Sequence, residues 1–153
     1  MRLLVSACLL GLCTRFDGQA RAHAGVLALR ERHTLIPVCP EQLAGLSTPR
    51  PPSEIKDGRV MNIKGEDLTE VFSRGAEQAL TAFRLCGCEA AVLKRRSPSC
   101  GKGQVYDGSF SGRLTAGDGL FAARLLAEGI LVYGEDETGL VELNNKTELM
   151  HHY

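Results

Sequence analysis

Four short apolar runs, each ended by polar or turn-forming residues, recur along the chain. They are about Leu3–Cys8, Thr34–Val38, Ala90–Leu93 and Ile130–Tyr133. Continuous apolar segments of this length are typical of parallel strands that are covered on both faces. The pattern therefore predicts four core strands.

Segments with helical periodicity lie between these strands. The clearest covers about residues 66–83, where apolar side chains follow one stripe. A shorter, alanine-rich helix is predicted at about Ala22–Arg32. A third is predicted to begin at Thr115, whose spacing to Asp118 resembles a capping box, and to end near Glu128.

Two segments break the alternation with turn-forming residues. Between Glu41 and Asn62 the chain is rich in proline and glycine, with a hairpin predicted around Asp57-Gly58. A second hairpin is predicted at Asp107-Gly108. Loops this long within a compact domain are usually functional.

The alternation predicts an α/β protein, a single Rossmann-like, three-layer domain with a mostly parallel sheet of about four core strands. The predicted domain comprises residues 1–153, with a polar C-terminal tail from about residue 134. Right-handed crossovers gather the carboxyl ends of the first three strands at one edge, with the first two strands as neighbours at the switch point. Open α/β sheets bind their ligands at this edge.

Composition narrows the class of protein. The 153 residues are 44% hydrophobic, and 18 basic residues balance 18 acidic ones. This composition argues against disorder and against a generic nucleic-acid binder, which carries a basic excess. The chain has no apolar run long enough to span a bilayer and no signal-peptide core, so we expect a cytoplasmic protein without membrane contact. Six cysteines in a reducing compartment are expected to be thiols or metal ligands.

Cys8, Cys39 and Cys100 each follow a predicted strand, so the fold is expected to bring them together. Thiolates are soft ligands that suit zinc or iron–sulfur clusters. Three thiolates without an obvious fourth indicate either a cubane with one open iron or an open zinc site. The alternative is that they are small apolar residues at strand ends.

Several longer motifs occur in order around these cysteines. They are Ser6-Ala7-Cys8-Leu9-Leu10-Gly11, Arg15-Phe16-Asp17-Gly18, Pro37-Val38-Cys39-Pro40-Glu41 and Lys94-Arg95-Arg96-Ser97-Pro98-Ser99-Cys100-Gly101. Together they resemble the bacterial thiouracil desulfidase family and its short, stand-alone homologues, over roughly residues 1–133. The resemblance implies a [4Fe–4S] cluster held by three cysteines, matching Cys8, Cys39 and Cys100, with one iron open to the substrate's sulfur.

The resemblance also implies a reaction, the hydrolytic, non-redox removal of sulfur from a thiouracil-type base or nucleoside with release of hydrosulfide. Glu41 is placed by sequence to act as the general base. Ser97, which the family comparison favours, is the candidate proton relay, although capping a turn is an equal alternative. The other candidate pocket residues are Ser99, Arg15, Asp17 and Arg50, and the alternative for the last three is that they are solvated loop charges. Thiolated RNA stays open as a substrate, and the oligomeric state is unknown.

Two other functional classes stay open. One is a thiol-based redox or sulfur-transfer protein that uses a cysteine nucleophile. The other is a non-catalytic domain that binds a metal or small ligand. Cys13 is expected to be a spare thiol or sulfur acceptor. Cys86 and Cys88 lie before the third strand, at its amino-terminal end, and are expected to be thiols that pack in the fold or have no particular role. The histidines are expected at the surface or in the tail.

Overall fold

The computed structural model describes residues 1–142 of the chain. Strands within that range are β1 (Arg2–Ser6), β2 (Thr34–Val38), β3 (Ser53–Lys56), β4 (Arg59–Asn62), β5 (Ala90–Leu93), β6 (Gln104–Tyr106), β7 (Leu114–Ala116) and β8 (Leu131–Gly134). The α-helices with both ends in that range are α1 (Ala24–Ala28), α2 (Pro40–Leu43), α3 (Thr69–Leu85) and α4 (Leu120–Ala127). Residues 138–142 are also helical. None of the described helices is long and apolar enough to cross a membrane.

The central sheet has the order β2-β1-β5-β8, and all of its strand pairs are parallel. The predicted α/β class and the four core strands are therefore confirmed. The first two strands are neighbours as predicted, but the switch point lies between β1 and β5, because the chain crosses β1 to reach β5. Side chains of β1 and β5 are almost entirely buried, as the continuous apolar runs predict.

Helices cover both faces of the sheet and form three layers. On one face, α3 and α4 pack buried side chains such as Leu80 and Phe121 against β1 and β5. On the other face, Val26 of α1 and Val141 pack against Leu3, Val5 and their neighbours. The apolar stripe predicted for the long helix is confirmed, since Phe72, Ala76, Ala79, Leu80 and Phe83 are all buried.

Two antiparallel hairpins stand outside this sheet. Strands β3 and β4 pair around Asp57-Gly58, where both residues have the positive φ angles expected in a tight hairpin turn. Strands β6 and β7 pair across residues 107–113, so the connection at the second hairpin is longer than a two-residue turn. Both predicted hairpins therefore exist, one on each side of α3 in the chain.

The third predicted helix begins later than expected. Thr115 lies in β7, opposite Val105, and α4 starts only after Gly119. Asp118 does not form a capping box. Its carboxylate accepts a hydrogen bond from the Gly103 N–H at 2.8 Å and thereby joins the two ends of the hairpin. Strand pairing has overridden the local capping signal.

Other elements also differ from the prediction. The first helix is shorter than expected and ends in a 3-10 turn, Leu29–Glu31, and α2 begins where a loop was expected. His23 caps α1 by accepting the Val26 N–H at 3.2 Å. His33 is buried and not at the surface. The rest of the predicted tail, with His151 and His152, lies outside the described residues.

Candidate functional site

Cys8, Cys39 and Cys100 lie just beyond the carboxyl ends of three adjacent strands. Cys8 sits in the 3-10 turn after β1, Cys39 is the N-cap residue of α2 after β2, and Cys100 follows β5 in the next loop. All three line one cavity of about 560 Å³. The structure thus brings together cysteines that are far apart in sequence, at the edge where the fold predicts a ligand site.

Burial raises the pKa of each of these thiols. For Cys8 burial outweighs the opposing effect of Lys94 and raises the pKa to about 11, with a further contribution from Cys39. Cys100 is deeply buried, and its pKa lies well above the usual 9, again mainly through burial. Burial likewise raises the pKa of Cys39. Without a bound metal centre, the three side chains are neutral thiols at pH 7.

This donor set fits an iron–sulfur cluster. Metal binding deprotonates a thiol outright, so a cationic centre would reverse the effect of burial on all three side chains. Among residues 1–142, no three His, Cys, Asp or Glu side chains are grouped so as to hold one metal ion. Each thiolate of a cubane binds a different iron atom, so cysteines spread around a cavity suit a cluster better than a single zinc ion.

Ser6, which the motif contains but the pattern does not single out, lies against this group. It is buried and lines the cavity. Its hydroxyl accepts a hydrogen bond from the Lys94 N–H at 2.9 Å and can donate its own proton to the sulfur of Cys100. Ser6 therefore links the ends of β1 and β5 and lowers the pKa of Cys100 against the larger effect of burial.

Glu41 lies in the first turn of α2 and lines the cavity. One carboxylate oxygen accepts from Arg50 Nε at 3.0 Å, and the other accepts from the Ser99 hydroxyl at 3.2 Å. Ser99 is buried and, within the described chain, is not part of the cavity wall. Two predicted pocket residues thus act on Glu41 directly, because they set the orientation of its carboxylate.

Arg50 is the centre of a larger network. Besides Glu41, its guanidinium donates to the carbonyl oxygens of Thr14 at 2.9 Å and Ser47 at 3.2 Å, and to the Thr48 hydroxyl at 3.0 Å. Its side chain is only 6% exposed and that of Glu41 is 15% exposed. The ion pair is therefore a buried one that joins three separate segments of the cavity wall.

Ser97 lines the cavity, and its hydroxyl caps the turn that carries Cys100. Its oxygen accepts from the Ser99 N–H at 3.1 Å and from the Cys100 N–H at 3.0 Å. The capping alternative is thus present in the structure. The same hydroxyl oxygen keeps its own proton to donate, so a relay role stays a prediction.

Most cations of the run that begins at Lys94 have carboxylate partners. Buried Glu135 binds Lys94 at 3.3 Å and Arg95 at 3.2 Å, and Glu137 binds Lys102 at 3.3 Å. Within the described chain, Arg96 has no such partner. The run therefore contributes less net positive charge to the site than its four cations carry, because residues 135–137 neutralise most of it.

Of the two remaining predicted pocket residues, Arg15 lines the cavity and Asp17 does not. Arg15 lines the cavity, but its guanidinium is held by Asp17 at 3.2 Å. The hydrogen bond from Arg15 is the main cause of the lowered pKa of Asp17. Asp17 is not among the described residues that line the cavity, so the structure places it behind Arg15.

Both hairpins contribute to the cavity wall, which no motif in the sequence indicated. Glu54 comes from the first hairpin, and Tyr106 and Phe110 come from the second.

The other three cysteines lie away from the cavity. Cys13 is exposed, and neither it nor Cys86 or Cys88 is among the described residues that line the cavity. Cys86 and Cys88 precede β5, at the opposite end of the strand from Cys100, as predicted.

Comparison with known proteins assigns the chain to a family. The sequence profile of the 2-thiouracil desulfurase family matches residues 3–137. The chain is 37% identical over 145 residues to the uncharacterized protein YbbK of Bacillus subtilis. This match covers 88% of this chain and 96% of that protein. It also matches a solved structure of the [4Fe-4S]-dependent thiouracil desulfidase TudS, with a TM-score of 0.86 and 41% identity over 95% of this chain and 98% of the other. The chain belongs to the 2-thiouracil desulfurase family.

Proposed function

We propose that this protein is an iron–sulfur-dependent desulfidase that removes sulfur hydrolytically from thiouracil-type bases or nucleosides. The observation that carries the proposal is the shared cavity, in which Cys8, Cys39 and Cys100 line the wall together with Glu41. The similarity to a [4Fe-4S]-dependent thiouracil desulfidase supports both the cofactor and the substrate class.

The cluster would be held by Cys8, Cys39 and Cys100. When bound, it would supply one open iron, a Lewis acid that accepts the sulfur of a thiocarbonyl group and polarises its carbon. The remaining steps fall to the protein. In the overall reaction water supplies the new carbonyl oxygen, the C–S bond breaks with both electrons staying on sulfur, and hydrosulfide leaves. No oxidant or reductant is consumed.

Glu41 is the proposed general base that takes a proton from the attacking water. A base of this kind must be held within hydrogen-bond reach of its target, and Arg50 and Ser99 fix both carboxylate oxygens. Ser97 is the proposed relay that returns a proton during collapse of the intermediate. Arg15 lines the cavity and is the proposed polar contact for the substrate ring.

The dimensions and charge of the site favour a small substrate. A volume of about 560 Å³ lies within the range of small-molecule pockets, and it has to hold the cluster as well as the substrate, which favours a base or nucleoside over a larger molecule. The balanced composition and the paired cations offer little excess charge to bind a polyanion such as thiolated RNA. Thiol-based redox chemistry fits less well, because reactive cysteines have a lowered pKa and these have a raised one.

The test is sulfide release from 2- and 4-thiouracil and their nucleosides by anaerobically reconstituted protein without added reductant. Glu41→Gln should keep the cluster and lower turnover by roughly two to four orders of magnitude, the usual contribution of general acid–base catalysis. Glu70→Gln makes the same chemical change on an exposed part of α3 and should behave like the wild type. Near-normal turnover of Glu41→Gln would assign the base elsewhere, and an absolute need for an electron donor would exclude hydrolysis.

A further inference from the structure

Polar side chains can contact the edge of a substrate ring, but they do not account for recognition of its flat face, and several of those in the cavity wall are already engaged. Glu41, Arg50 and Arg15 are already engaged with protein partners. The aromatic residues of the wall are Phe16, Tyr106 and Phe110. Aromatic side chains bind planar heterocycles by stacking, which is worth roughly 1–3 kcal/mol per base.

Phe110 is held in a conformation that the chain does not adopt by default. Its φ angle is +55°, in the left-handed region that is unfavourable for a residue with a large side chain. Its N–H donates to Glu54 Oε1 at 3.1 Å, and the Gly108 N–H donates to the same oxygen at 3.0 Å. Such conformations persist only where the surroundings impose them, and here a carboxylate of the other hairpin does so.

The contact between the hairpins is close as well as polar. A Cβ atom at Gly108 would lie 2.5 Å from the Lys56 Cβ and 3.0 Å from the Ile55 carbonyl oxygen. Only glycine permits this approach, and its φ of +92° requires glycine too. Residues 107–113 are therefore fixed to the first hairpin at one side of the cavity.

Phe16 reaches the same cavity from a different segment. The Arg50 N–H donates to its carbonyl oxygen at 2.8 Å, which ties its backbone to the central network. The Arg15 guanidinium lies 5.5 Å from the centroid of its ring. The residue is 38% exposed, so its ring still offers apolar surface.

We propose that Phe110 and Phe16 are specificity-determining residues that stack on the substrate's planar ring, and that Glu54 is the positioning residue for Phe110. The inference rests on the proposed function, since it names how that site recognises its substrate. Glu54 acts through the two backbone N–H groups that it accepts, so hydrogen-bond acceptance is what the role requires.

The experiment uses cluster-loaded protein and two measurements. Calorimetry gives the Kd of uracil, a planar ring that cannot react, and steady-state kinetics give kcat and KM for 2-thiouracil. Phe110→Leu should raise both Kd and KM about 5- to 10-fold, the lower part of the effect expected for loss of base stacking, with kcat changed less than about twofold. Phe110→Tyr keeps the ring and should stay within about twofold of the wild type.

Glu54 is tested by a matched pair. Glu54→Ala should raise Kd and KM as Phe110→Leu does, whereas Glu54→Gln keeps an acceptor oxygen and should restore wild-type values. Iron content and thermal unfolding confirm that each variant is loaded and folded. Unchanged Kd and KM in Phe110→Leu would overturn the inference, as would a fall in kcat at constant KM. A wild-type protein that releases no sulfide would instead overturn the proposed function, while the uracil Kd would still report on Phe110.

Discussion

Loss of the Arg50 side chain should destabilise the domain far more than loss of an ordinary surface arginine. In Arg50→Met the carboxylate of Glu41 loses its ion-pair partner while only 15% of that side chain is exposed to solvent. Leaving one member of a buried pair uncompensated costs about 3–5 kcal/mol. The lost hydrogen bonds to Thr14, Ser47 and Thr48 act in the same direction, and methionine recovers some packing. We therefore expect a loss of about 4 kcal/mol in the free energy of unfolding, a large part of the 5–15 kcal/mol typical of a domain.

The assay is urea unfolding of the cluster-free, reduced protein followed by circular dichroism. With an m-value of about 2 kcal/mol/M, the midpoint should fall by about 2 M. Arg59→Met is the matched control, because its ion pair with Asp67 is 57% and 40% exposed, and such pairs are worth about 0.2–1 kcal/mol. Adding Glu41→Gln to Arg50→Met should recover at least about 1 kcal/mol, as expected for two residues in contact. A midpoint shift no larger than that of the Arg59 control would refute the description of this pair as buried and structural.

Three further predictions concern other parts of the molecule. Serine in place of any strand-end cysteine should abolish the brown absorbance and bound iron, whereas Cys86→Ser should keep both; the strand-end positions are Cys8, Cys39 and Cys100. Burial raises the pKa of Cys8 to about 11 from the usual 9, so the folded, cluster-free protein keeps this proton to a higher pH than the unfolded chain does. The free energy of unfolding should therefore be unaffected below pH 9 and should fall by up to about 2.7 kcal/mol as the pH rises towards 11. Urea midpoints below pH 9 and near pH 11 should show this slope, and Cys8→Ala should reduce it. Gly108→Ala should lower the thermal midpoint more than Gly65→Ala, because both residues have a positive φ but only Gly108 has atoms of Lys56 in the way.

The sequence predicted the sheet and the meeting of the cysteines for the same physical reason. Continuous apolar runs mark parallel strands, and parallel strands present their carboxyl ends at a common edge. Once Cys8, Cys39 and Cys100 were assigned to strand ends, their shared cavity followed from topology. Glu41 followed in the same way, because it lies two residues beyond Cys39.

The residues that pattern analysis missed depend on contacts between distant segments. Glu54 holds Phe110 across a gap in the chain that no local motif spans. Glu135 forms ion pairs with Lys94 and Arg95 although it lies in what the sequence suggested was a polar tail. The predicted start of the third helix at Thr115 was wrong because pairing with β6 outweighed the local signal. Tertiary contacts decided each of these cases.

Each of the two hairpins forms its own two-stranded sheet, and neither belongs to the central sheet. Strand registers of β1, β2, β5 and β8 therefore do not depend on how long these hairpins are. Closing a longer loop adds only about 0.6 kcal/mol for each doubling of its length. Insertions and deletions in the hairpins can thus reshape the wall of the cavity while the cysteine positions stay constant. Substrate preference could therefore change during evolution while the central sheet keeps its structure.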